Sequence, residues 1–182
     1  TTGQGSNDHF YRLRIHDDSS LTISSGESLF GHEISIFQNS HSSENLPTLT
    51  MNGGRLIGSW TGGNYHLMVG QSPNGLSNGS ALTRGGNLII NGGSLDLSRY
   101  DGWDNRIRVH GGSSFEQNGG DVRAYSIDVD DYAYSGNYVT SGNFSLNAGT
   151  TTLRYLNGTT NQIPDGSGLG SINGGNVVPL DQ

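Results

Sequence analysis

Three carboxylates crowded into one short stretch, Asp128, Asp130 and Asp131, are the residues of this sequence best suited to holding an ion. Ca²⁺ takes roughly six to eight oxygen ligands, so the trio reads as a candidate calcium site. Their spacing does not follow the EF-hand loop, and Asn91-Gly-Gly-Ser-Leu-Asp96 lacks the second glycine position of the calcium-binding nonapeptide repeat. Alternation with Ile127 and Val129 also describes plain outward-facing charges on a strand. No other cofactor is implied.

Two tryptophans offer a different chemistry. Trp60, in Gly58-Ser-Trp-Thr-Gly-Gly63, and Trp103, in Tyr100-Asp-Gly-Trp-Asp-Asn105, lie in glycine-rich stretches where an aromatic face beside polar groups can stack on a sugar ring. Both are candidate carbohydrate contacts, with packing of the loop on the body as the alternative. The six histidines are scattered and form neither His-x-His nor His-Glu-x-x-His, so no catalytic metal is indicated. Arg106, Arg108 and Arg123 lie near Asp121 in the chain and could supply the base and ion site of a polysaccharide-cleaving enzyme, although surface ion pairs explain them more simply. With four Glu and no Lys in the chain, no catalytic constellation emerges, and the expectation is a protein that is not an enzyme.

Composition narrows the classes further. The 182 residues include 30 Gly, no Cys and no Lys, and carry a formal charge of −7. Phosphate recognition needs a basic surface, so nucleic acid is a poor partner. Disulfides and thiolate metal sites are excluded, and no apolar run approaches the ~18 residues that span a bilayer as a helix. A start at Thr1, rather than Met, and the Gly/Ser/Asn/Thr-rich composition fit a secreted chain whose signal has been removed. Ala, the strongest helix former, occurs only 4 times, which argues against a helical bundle.

The elements that must position these residues come from an internal repeat. Leu49-Thr-Met-Asn-Gly-Gly-Arg-Leu56, Leu88-Ile-Ile-Asn-Gly-Gly-Ser-Leu95 and Ile107-Arg-Val-His-Gly-Gly-Ser-Ser-Phe115 share alternating apolar residues, a polar residue, a glycine pair and a second apolar start. Weaker copies begin at Leu21, Phe115, Phe144 and Ser171. The period of two marks short strands, and paired glycines permit the sharp corner between them. Leu49, Met51, Leu88, Ile90, Ile107, Val109, Ile127, Val129, Phe144 and Leu146 are expected to share one core. A unit of about 20 residues cannot bury its apolar face alone, whereas stacked units share a continuous core. Fold class is therefore all-β, a single-stranded parallel β-helix of about 8–9 rungs, on the order of 40 Å long at ~4.8 Å per rung. A β-sandwich with glycine-rich hairpins is the alternative, and it gives no reason for the corners to resemble one another.

The strand-Gly-Gly-strand units, as in Phe115-Glu-Gln-Asn-Gly-Gly-Asp-Val-Arg-Ala124, resemble those of repetitive bacterial surface proteins: autotransporter passengers and the β-solenoid regions of PEP-CTERM-sorted proteins. The likeness spans roughly residues 21 to 178 and implies a right-handed parallel β-helix at the cell surface, acting in adhesion, matrix or appendage structure. The terminal Pro-Glu-Pro of the sorting family is not among these residues.

Both ends carry strand-like segments. Residues 1–16 read as an arm and first strand in which Tyr11, Leu13 and Ile15 alternate with Arg12 and Arg14, and residues 17–182 read as the solenoid. Val177 and Val178 form a short apolar strand ended by Pro179, a residue usually confined to sheet edges. An uncovered terminal rung exposes unpaired backbone, so these five residues are the candidate assembly contacts. The expected function is a secreted structural or adhesive module, the subunit of an extracellular filament stacked head to tail. The alternative is a β-helix that binds or cleaves surface polysaccharide.

Overall fold

A computed structural model describes residues 8–38, 45–58, 66–70, 85–98, 105–109, 112–129, 142–153 and 170–179. All of their regular structure is strand, and every strand pairing is parallel. One sheet contains β2 (Ser20–Ile23), β4 (Thr48–Met51), β7 (Asn87–Ile90), β10 (Ser114–Gln117), β13 (Asn143–Leu146) and β15 (Gly170–Ile172), stacked in chain order. We call it the first sheet.

The long strand β3 (Glu27–Phe37) starts two more. Its first half is followed by β5 (Arg55–Gly58), β8 (Ser94–Asp96), β11 (Asp121–Ala124), β14 (Thr150–Leu153) and β16 (Asn176–Pro179), the second sheet. Its second half is followed by β6 (His66–Val69), β9 (Arg106–Val109) and β12 (Ser126–Val129), the third sheet. On the other edge of β3 lies β1 (Asp8–His16), paired along both halves. The chain is a parallel β-solenoid of three sheets.

Alternation makes the core. Strands β4, β7, β9, β10 and β14 each show strict alternation of half-buried and buried residues. All ten residues expected to share a core are buried in one cluster. In-register stacking turns each inward position into a row, such as Leu49, Leu88, Phe115 and Phe144 in the first sheet. Full burial of each such side chain contributes about 1.5–3 kcal/mol. Two rows hold a buried polar member, Gln117 in the first sheet and Thr151 in the second. Gln117 is buried, donates from Nε2 to the carbonyls of Gly120 (3.2 Å) and Thr150 (3.1 Å), and accepts from Thr151 Oγ1. Those bonds satisfy a side chain that would otherwise destabilise the core.

The rung count differs from the sequence expectation. Direct pairing of β4 with β7 leaves no level between them, so the first sheet has six levels among the described residues, not 8–9. At about 4.8 Å per level the first sheet spans about 24 Å, not 40 Å. Stacked positions are separated by 28, 39, 27, 29 and 26 residues in successive turns. Two things misled the count. Gly112 turns the chain from the third sheet into the first, so it is not equivalent to Gly93 or Gly120, which turn the first into the second. His66–Val69 belongs to the third sheet and supplies no missing turn. β1 is the solenoid's own first level, so residues 8–16 are integral to the body and not a free arm.

Candidate functional site

Six corners join the first sheet to the second, each three residues long, at 24–26, 52–54, 91–93, 118–120, 147–149 and 173–175. Their uniformity follows from stacking, because each corner lies directly on the one before. Gly93 has φ +82°, and a Cβ there would sit 2.5 Å from the carbonyl oxygen of Gly54. Only glycine meets both conditions without strain.

The residues opening five of the six corners form an asparagine ladder. Asn91 Nδ2 donates to Asn52 Oδ1 at 2.9 Å, Asn118 to Asn91 at 3.0 Å, Asn147 to Asn118 at 2.9 Å and Asn173 to Asn147 at 2.8 Å. An amide is both donor and acceptor, so identical side chains at strand spacing can bond in series. The sequence reading treated this position as merely polar. Recurrence of Asn at one offset from the corner glycine was the signal that could have found it. Ser24 occupies the position in the first corner.

The third sheet carries the most buried ion pair among the described residues. Arg106 Nη1 lies 2.9 Å from Asp128 Oδ2, and Ser126 Oγ donates to Asp128 Oδ1 at 2.8 Å. The guanidinium also stands 5.7 Å from the centre of the Tyr125 ring. Asp128 is thus a buried, ion-paired carboxylate whose oxygens are engaged within the protein. Asp130 and Asp131 lie outside the described residues. No group of three His, Cys, Asp or Glu among the described residues is placed to hold a metal ion. Nor does the structure assemble the arginine site. Arg106 and Arg108 are on β9 of the third sheet, while Asp121 and Arg123 are on β11 of the second. Trp60 and Trp103 lie outside the described residues.

The candidate assembly residues fall at the two ends. Ile15 is buried and Leu13 packs, partly buried, against the same core, so both face inward. Tyr11 stands where the pairing of β1 with β3 shifts register. Val177 and Val178 are half-buried in β16, beside Thr151 and Thr152. The inward rows of the first sheet run out here. Leu21 and Ile23 at one end are only partly buried, and Ile172 at the other is 48% exposed although its stacking partner Leu146 is fully buried.

The fold and these ends define a parallel β-solenoid in which Leu13, Leu21 and Ile23 at one end, and Ile172 and Val177 at the other, are only partly covered. Comparison with protein-family models, with curated proteins and with solved structures found no match. No helix among the described residues is long and apolar enough to cross a membrane.

Proposed function

We propose that the chain is an extracellular structural solenoid that assembles with copies of itself, end to end, into a filament or matrix. The observation that carries this reading is the pair of open terminal levels. Leu13, Leu21 and Ile23 at one end, and Ile172 and Val177 at the other, occupy positions that are fully buried in the turns between. The strand edges beside them are parallel and alike in spacing, so one end offers the surface that the other needs. Head-to-tail contact of two different surfaces does not close, and it generates a line of subunits. Backbone pairing of this kind is strand augmentation, with side chains setting register. A rigid rod and a composition without Lys or Cys fit a structural role outside the cell.

Sedimentation velocity over a concentration series, with electron microscopy of the same samples, tests the proposal. The expected result is rods that lengthen with concentration, and loss of those rods in Ile172→Asp. Monomers alone at every concentration would refute it.

A further inference from the structure

The two ends of the solenoid are out of phase. Each turn passes through the second sheet, then the third, then the first, as in β5, β6, β7 and β8, β9, β10. The described chain enters on the second sheet, where Asp8–Phe10 pair with residues 28–30 of β3, and leaves on the second sheet, where β16 pairs with β14. Among the described residues the second sheet is therefore one level taller than the first. Its extra level is the short segment Asp8–Phe10.

A coaxial neighbour must meet this mismatch. If its β16 added outside Asp8–Phe10, its β15 would stand two spacings from β2, about 9–10 Å, with no strand of the described residues between. Leu21, Ile23 and the neighbour's Ile172 would then remain uncovered. If β16 instead took the place of Asp8–Phe10 on β3, β15 would land on β2 at ordinary spacing. The neighbour's corner 173–175 would then sit on corner 24–26, as each corner sits on the one before it.

Resting on the assembly reading above, we propose that subunits join by strand exchange: β16 of one copy displaces Asp8–Phe10 from β3 of the next. Pairing of β1 with β3 shifts register between Phe10 and Arg12, so its two halves are separate stretches, and residues 12–16 stay in place when the first stretch leaves. The exchange gives up three paired residues. It gains Asn176–Val178 on β3 in the register of the earlier turns, together with Gly170–Ile172 on β2. Pro179 has no N–H to donate, so the second-sheet joint is no longer than the pairing it replaces. The net gain comes from the first sheet, where Ile172 covers Ile23 and the backbone of Gly170 comes to lie against Leu21.

A disulfide clamp tests this in the full chain, which has no cysteine of its own. His9 and Leu29 are paired in register, and a strand spacing of about 4.8 Å lies within the Cα range of a disulfide. The double variant His9→Cys/Leu29→Cys is expected to form no fibres when oxidised, and to recover wild-type fibre mass on reduction. Fibres equally abundant in the oxidised state would overturn the exchange while leaving end-to-end assembly intact. A mixture of Leu29→Cys chains with Val178→Cys chains keeps the question decidable should the clamp disturb folding. Exchange gives intermolecular cross-links in that mixture. Cross-linking of His9→Cys with Val178→Cys instead would show that β16 adds outside Asp8–Phe10 and would overturn the proposal. A wild-type chain that never assembles would defeat the assembly reading itself.

Discussion

The inner turns and the terminal turns are built from the same residue types in the same pattern, yet they differ in what covers them. Ile90 and Ile172 occupy the same inward row of the first sheet; Ile90 is fully buried between Met51 and Gln117, while Ile172 has a neighbour on one side only. The comparison separates two meanings of an apolar residue in a solenoid. Inside the stack it supplies stability, and at the end of the stack it supplies a surface.

The largest expected effect breaks that comparison at its centre. Ile90→Asp places a carboxylate among side chains with no partner for it, at a cost of several kcal/mol against a typical total of about 5–15. Circular dichroism should show an unfolded chain. Ile172→Asp, in the same row, should melt within a few degrees of wild type, because a half-exposed carboxylate keeps its water. Equal destabilisation by the two would deny that the end is open.

A second effect, smaller, sharpens the account of the corners. Gly93→Ala forces a Cβ into a left-handed conformation costing about 1–2 kcal/mol, and into an oxygen of the preceding corner that cannot move freely. Gly92→Ala should cost less, since Ala148 already occupies the equivalent place in a later corner. Thermal melts of the two variants rank them. The reverse order would mean that corner stacking does not set the requirement.

The smallest effect belongs to the ladder. Asn91 makes two ladder bonds and Asn52 one, and a neutral hydrogen bond is worth about 0.5–1.5 kcal/mol net. Asn91→Ala should therefore lower stability by about 1–3 kcal/mol in denaturant melts, and Asn52→Ala by about half as much. Indistinguishable losses would show that the ladder does not act as a chain of pairwise bonds.

How far the sequence was legible follows from the same contrast. Alternation at Leu49/Met51, Leu88/Ile90 and Phe144/Leu146 revealed the inward rows, because strand periodicity is local and needs no knowledge of partners. The number of turns was not legible. The sequence has Gly-Gly at both 111–112 and 119–120, yet Gly112 lies between the third and first sheets and Gly120 between the first and second, and spacing alone does not tell those corners apart. The candidate sites depended on partners even more. Asp128 read as an exposed ligand because Arg106, 22 residues earlier, becomes its neighbour only once the length of the turn is known. Leu13 and Ile15 were recognised as one face of a strand, but whether that face met its own core or another subunit was settled by the pairing of β1 with β3.

Coaxial stacking is the central claim, and diffraction from oriented fibres of the purified chain tests it most directly. Strands that run across the axis of a solenoid repeat along it at about 4.7–4.9 Å. Filaments made of solenoids joined end to end should give that reflection on the meridian, parallel to the fibre. The same reflection on the equator would mean that subunits associate side by side, and would contradict the account.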